Sequence, residues 1–158
     1  MRAGRKFRVS HARGTAAVEA AIILPVLILF LAAPLFFARI FWYYSVAEKA
    51  AHDAARFLSA ATQLEIKAQG AGFSEPPIAG LARSIALAEL ADIAPGLDGM
   101  RVDVQCDGGP CGIIVPQTVR AFVRIQIRDN ILPIFTSEFY GDDGIVLVSD
   151  VTMRYATP

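Results

Sequence analysis

Gly14-Thr15-Ala16-Ala17-Val18-Glu19 leads into Ala20–Ala38, nineteen residues without a charge and rich in Leu, Ile, Phe and Ala. As a helix that uncharged run is ~28 Å long, close to the ~30 Å hydrocarbon core of a bilayer. An apolar run of this length predicts a membrane span rather than a buried core helix. Glu19 is then an anomaly. It stands at the rim of the span, where a carboxylate is costly and usually has a partner.

Charge is distributed unevenly around this span. Arg2, Arg5, Lys6, Arg8 and Arg13 precede it, with no acid among them. The whole chain of 158 residues carries fifteen basic and fifteen acidic side chains. Taking away the five of the leader leaves ten basic against fifteen acidic from Gly14 onward, net −5. Basic flanks stay cytoplasmic, so the N-terminus is expected inside and the C-terminal domain outside. A nucleic-acid role is not supported, because no basic run follows the leader. Two other readings of the N-terminus remain open. One is an uncleaved signal anchor. The other is a secretory signal peptide, although the apolar run exceeds the ~7–15 residues of an ordinary h-region. Its small-residue site, Leu31-Ala32-Ala33, would be followed directly by Pro34.

The arrangement of basic leader, Gly14 and Glu19 resembles the type IV prepilin signal. A cut after Gly14 makes Thr15 the first mature residue and Glu19 the fifth. The resemblance extends from Gly14 to Pro25, which looks like the opening of the TadE-like minor pseudopilins of tight-adherence (Flp) pilus systems. Ala47–Arg56 is similar to the Ala/Arg-rich helix that follows the span in that family. Ala20 follows Glu19 where such signals usually carry Tyr or Phe. The resemblance implies a single-pass protein of the bacterial inner membrane, processed between Gly14 and Thr15 by a prepilin peptidase. It also implies other pilins or pseudopilins and the pilus assembly machinery as partners, incorporation into a pilus as one outcome, and a role for Glu19 in aligning subunits.

Within the span, Pro25 and Pro34 each remove a backbone donor and are expected to kink or loosen the helix, with a melted segment near Pro25 as one outcome. Phe41, Trp42, Tyr43 and Tyr44 predict an aromatic belt at the outer interface. Val46–Ala61 has no Gly or Pro, so the helix is expected to run to about Ala61, with Lys49 and Asp53 spaced to pair. Ala47, Ala51 and Ala55, with Ala50 and Ala54, form a small-residue face. Either close approach of another element or helix propensity alone accounts for it.

Gln69–Pro77 reads as a loop, and Ile78–Ala94 as a second helix stopped by Pro95-Gly96, with no clean buried face. From Met100 the pattern becomes that of strands. Arg101–Gln105 alternates, Asp107-Gly108-Gly109-Pro110 is a turn, and Ile113–Val115 is a short apolar run. In Thr118–Arg128 one face holds Val119, Ala121, Val123, Ile125 and Ile127, and the other Arg120, Phe122, Arg124, Gln126 and Arg128. Asn130–Tyr140 is apolar but broken by Pro133, and Gly141-Asp142-Asp143-Gly144 reads as a turn. Ile145–Tyr155 places Ile145, Leu147, Val151, Met153 and Tyr155 inward. Helices followed by strands predict an α+β fold, a long N-terminal transmembrane helix ahead of a small domain with a second helix and a mainly antiparallel sheet. The expected organisation is a leader over 1–14, the helix with its Ala-rich extension over 15–61, and the exported domain over 62–158.

Cys106 and Cys111, the two cysteines of the chain, flank the Gly-Pro turn in the predicted exported domain. A disulfide is the default there, with free thiols or a metal site as the alternatives. Asp142-Asp143 lacks the alternating acids of a calcium loop and reads as a solvated turn. His52 reads as an exposed helix residue. With no phosphate loop, nucleophile elbow or metal-ligand motif, no enzyme activity, cofactor or metal is expected.

Overall fold

The computed structural model describes residues 12–68, 76–112, 114–127 and 144–156. The chain divides into two compact units, Met1–Arg39 and Ile40–Pro158. Helix α1, Ala12–Ser59, begins in the first and ends in the second.

In the first unit α1 is helical throughout, Pro25 and Pro34 included. Neither proline therefore opens a non-helical segment near Pro25. Each removes one donor, but the flanking turns keep their own hydrogen bonds. The apolar side chains from Val18 to Leu31 stand exposed around the helix, Phe30 at 74%. They have no protein core to enter, and α1 is long and apolar enough to cross a membrane.

The second unit is α+β. After α1 come α2 (Gln63–Lys67), α3 (Pro77–Leu90), a 3-10 turn at Ala94–Gly96, and strands β1 (Leu97–Cys106), β2 (Thr118–Ile127) and β3 (Ile145–Arg154). The strands form an antiparallel sheet in the order β1-β2-β3. Alternation sets its faces. Val119, Ala121, Val123, Ile125 and Ile127 are buried on β2, joined by Val102, Val104 and Cys106 of β1 and Ile145 and Ser149 of β3. Helix α3 packs on β1 through a face containing Ile78, Ala79, Ala82, Ala86 and Leu90.

The end of α1 belongs to this core. Ala47, Ala50, Ala51, Ala54, Ala55 and Leu58 are fully buried. Close approach, rather than propensity alone, is what the alanine face provides. These methyl groups are covered by the rest of the domain, whose large buried side chains include Leu58, Ile66, Leu90, Ile93 and Ile125. Two bonds tie the helix end to the end of the chain: Ala156 N–H donates to Ser59 O at 3.1 Å, and Tyr155 Oη–H donates to Ala61 O at 2.6 Å. Lys49 does not take Asp53 as its hydrogen-bond partner. It reaches Glu89 of α3 at 2.5 Å, because α3 lies beside α1 at that level.

Several boundaries differ from expectation. Helix α1 ends at Ser59, and the short α2 follows, started by a capping box in which Thr62 and Glu65 satisfy each other's backbone. Helix α3 stops at Leu90 rather than Ala94. Burial of Leu90 and Ile93 turns the chain into the core ahead of the 3-10 turn at Ala94–Gly96. Strand β1 then starts at Leu97, with a register shift between Leu97 and Gly99. Pro77 opens α3, where its missing donor costs nothing. Ile114 and Val115 are not in a strand, and Ile114 is exposed. The expectations for residues 69–75, Ile113, Arg128, Asn130–Tyr140 and Gly141–Asp143 fall outside the described residues.

Candidate processing and assembly segment

Gly14 lies in the first turn of α1, exposed, with nothing within 4 Å of where a Cβ would sit. The first four N–H groups of a helix have no intrahelical acceptor, and Gly weakens a turn by roughly 1 kcal/mol relative to Ala. Gly14 therefore weakens α1 locally. Thr15 follows within the same helix. Glu19 is exposed one turn further on, at the head of the apolar surface.

Past the apolar stretch the aromatic residues separate. Phe41, Trp42 and Tyr44 are exposed, but Tyr43 is 5% exposed and belongs to the core of the second unit. Its ring stacks on Trp42, with centroids 5.5 Å apart. Three of the four residues of the predicted belt are thus exposed, because the helix begins to bury one face at Tyr43.

The distal chemistry is structural. Cys106 and Cys111 form a disulfide with S–S 2.01 Å and Cα–Cα 4.9 Å. Within its loop Asp107 and Gly108 both have positive φ, 49° and 80°, as a two-residue hairpin turn demands. The Asp107 carboxylate accepts from Gln117 N–H at 2.9 Å and from Thr118 N–H and Oγ1–H at 2.8 and 2.9 Å. These bonds, the one from the Gln117 backbone foremost, hold the carboxyl below its ordinary value. Its contribution to stability is therefore complete above the ordinary Asp value of about 3.9 and is lost as pH falls through the lower folded value. Asp107→Asn should lower the melting temperature at pH 7, and the gap from wild type should narrow in melts taken down to pH 2.5. Replacing both cysteines by serine should cost about 2 kcal/mol in the chain-entropy model. Thiol labelling of the native protein should require prior reduction; full labelling without it would show the bond absent in native material.

Among the described residues no group of three or more His, Cys, Asp or Glu could hold a metal ion. His52 is exposed on α1. Sequence reasoning missed the Arg120–Asp150 pair, where Arg120 donates from Nε to Oδ1 at 2.7 Å and from Nη2 to Oδ2. The signal was the position of Asp150 on the outward face of its strand, but only register places it beside Arg120.

With this geometry in place, the sequence model of the TadE-like protein family matches residues 14–56. The match begins at Gly14, contains Glu19 and the apolar surface of α1, and stops at Arg56, leaving the sheet outside. It agrees with the resemblance carried by Gly14–Pro25 and Ala47–Arg56. Over residues 14–56 the chain is similar to TadE-like proteins. No curated protein and no solved structure matches the chain.

Proposed function

We propose that this chain is a minor pseudopilin that takes part in assembling or anchoring a tight-adherence pilus, and that a prepilin peptidase cuts it between Gly14 and Thr15. The supporting observation is the joint position of Gly14 and Glu19. The first lies in the first described turn of α1, and the second at the head of an exposed apolar helix inside the family match. In this reading the basic leader stays in the cytoplasm, α1 crosses the inner membrane, and the sheet domain lies outside. The organisation is then a leader to Gly14, a helix with its Ala-rich extension, and an exported domain that also recruits that extension as core.

The test is the first residue of the mature protein in its native host. Cleavage gives Thr15. A protein beginning at Met1 assigns the chain to the unprocessed, membrane-anchored envelope domains, and a start beyond Ala32 in a membrane-free protein assigns it to the secreted ones. Gly14→Val should accumulate the full-length form nearly completely on immunoblot. A β-branched side chain at the cut both crowds the protease site and restricts the backbone there.

A further inference from the structure

The two sides of the second unit carry opposite charge. The outward face of the sheet holds Arg101, Arg120, Arg124 and Arg154, against Asp103 and Asp150. Arg101 bonds Asp103 and Arg120 bonds Asp150, but Arg124 makes no ion pair among the described residues. It stands directly opposite Arg101 across β1 and β2. Like charges in that position destabilise a sheet, and the Asp103 carboxylate bonded to Arg101 offsets only part of the cost. Val148 is Arg124's partner on β3 and is 46% exposed; Val146 is exposed beside it, and Phe122 is half-buried between Asp103 and Asp150. This face carries apolar Phe122, Val146 and Val148 and two more arginines than aspartates.

The helical side is its complement. Lys49 bonds Glu89, with Asp53 and Asp92 near enough to act on its charge, while Arg83 of α3 is turned to Val102 O and Asp103 of the sheet. Next to them the solvent face of α3 shows Gly80, Leu81, Ser84, Leu87 and Ala88, all exposed and none charged. A surface helix ordinarily presents charge outward. Here Leu87 is 40% exposed beside an acidic rim.

We propose that a second copy of this chain docks the α3 face, with its acidic rim, onto the outward Arg face of the sheet. The surfaces lie on opposite layers of one domain, so the contact is heterologous and can repeat from copy to copy. Pairing either surface with itself would set like charges together, which costs several kcal/mol across an interface. A second copy is favoured over an unrelated acidic partner because both halves, apolar residues included, are present in one chain. The proposal goes beyond the pseudopilin reading and holds whether or not cleavage occurs after Gly14.

The experiment uses the full chain in detergent micelles and a short bismaleimide. Cys106 and Cys111 are joined and do not compete for the reagent. Copies carrying Val148→Cys mixed with copies carrying Leu87→Cys should cross-link to dimers. Chains carrying both should give a ladder of trimers and larger species, and either single variant alone should give neither. Arg124→Glu, checked for an unchanged melting temperature, should lower the ladder at least about ten-fold, and adding Asp92→Lys should recover most of it. Efficient cross-linking of Val148→Cys copies with one another would overturn the proposal. So would a mixture that does not cross-link, or a ladder indifferent to Arg124→Glu. If added polyglutamate shields Val148→Cys from maleimide while copies fail to cross-link, the face belongs to another acidic protein and self-docking is refuted.

Discussion

Ala51→Phe is expected to unfold the second unit at temperatures where the wild type is intact, whereas His52→Phe, one residue along, leaves it folded. Ala51 is fully buried, and Ala47, Ala50, Ala54 and Ala55 around it are equally inaccessible. A phenyl ring there cannot be accommodated by a rotamer change alone. It must push α1 off its neighbours, and the flanking alanines have no side chain to yield. Overpacking a well-packed core costs about 1–3 kcal/mol, and more where backbones approach closely. A domain with roughly 5–15 kcal/mol in hand loses a large part of its stability to such a change. His52 points to solvent, so its replacement changes helix propensity by only tenths of a kcal/mol. Thermal melts and limited proteolysis of the full chain in detergent read both variants. If the two behaved alike, the alanines would be serving propensity alone, and the core would end before α1.

The contrast between those two residues also shows where sequence reasoning stops. Strands β2 and β3 were legible because period-two alternation writes burial directly into the chain: each inward residue named on β2 is buried. The alanine face was visible as a pattern but not as a contact, because Ala favours helix whether or not anything lies against it. Tyr43 could not be told from Phe41, Trp42 and Tyr44, since an aromatic suits both a headgroup interface and a core. Helix α2 was readable in Thr62-Gln63-Leu64-Glu65 followed by Ile66, although the expected organisation assigns no element between Ala61 and Gln69. The end of α3 depended on which residues the core could take, Leu90 and Ile93, and no local rule supplies that. For Gly14 and Glu19 the motif was legible, and the structure adds their place in the first turns of an exposed helix. The charge split between the sheet and helical faces needed the register, because Arg101 and Arg124 are far apart in sequence and meet only across β1 and β2.

Glu19→Gln and Glu19→Leu should both leave insertion and cleavage close to wild type while lowering surface piliation at least about ten-fold, which corresponds to roughly 1.4 kcal/mol per assembly contact. Insertion scales assign about 2.5–3.5 kcal/mol to a charge at the middle of a membrane helix, and less near its ends. Glu19 is exposed, and Val18 and Ala20 on either side offer it no polar company. Cleavage after Gly14 would create a positive α-amine on Thr15, one helical turn away. That amine, in the same subunit or in a neighbour, gives the carboxylate its partner, and a carboxylate near a helix N-terminus is further favoured by the helix dipole. Gln keeps the size and hydrogen-bonding capacity of Glu but not the charge, so a defect in Glu19→Gln isolates the electrostatic part. Leu removes the polar group altogether and should make the helix insert more tightly. The readouts are surface pili, co-purification of other pilus components, and the processed fraction on immunoblot, all in the native host. A cleavage defect in Glu19→Gln would move the residue's role to peptidase recognition. Normal piliation and normal partner recovery in both variants would leave Glu19 as an interfacial carboxylate that reaches headgroup water and takes no part in assembly.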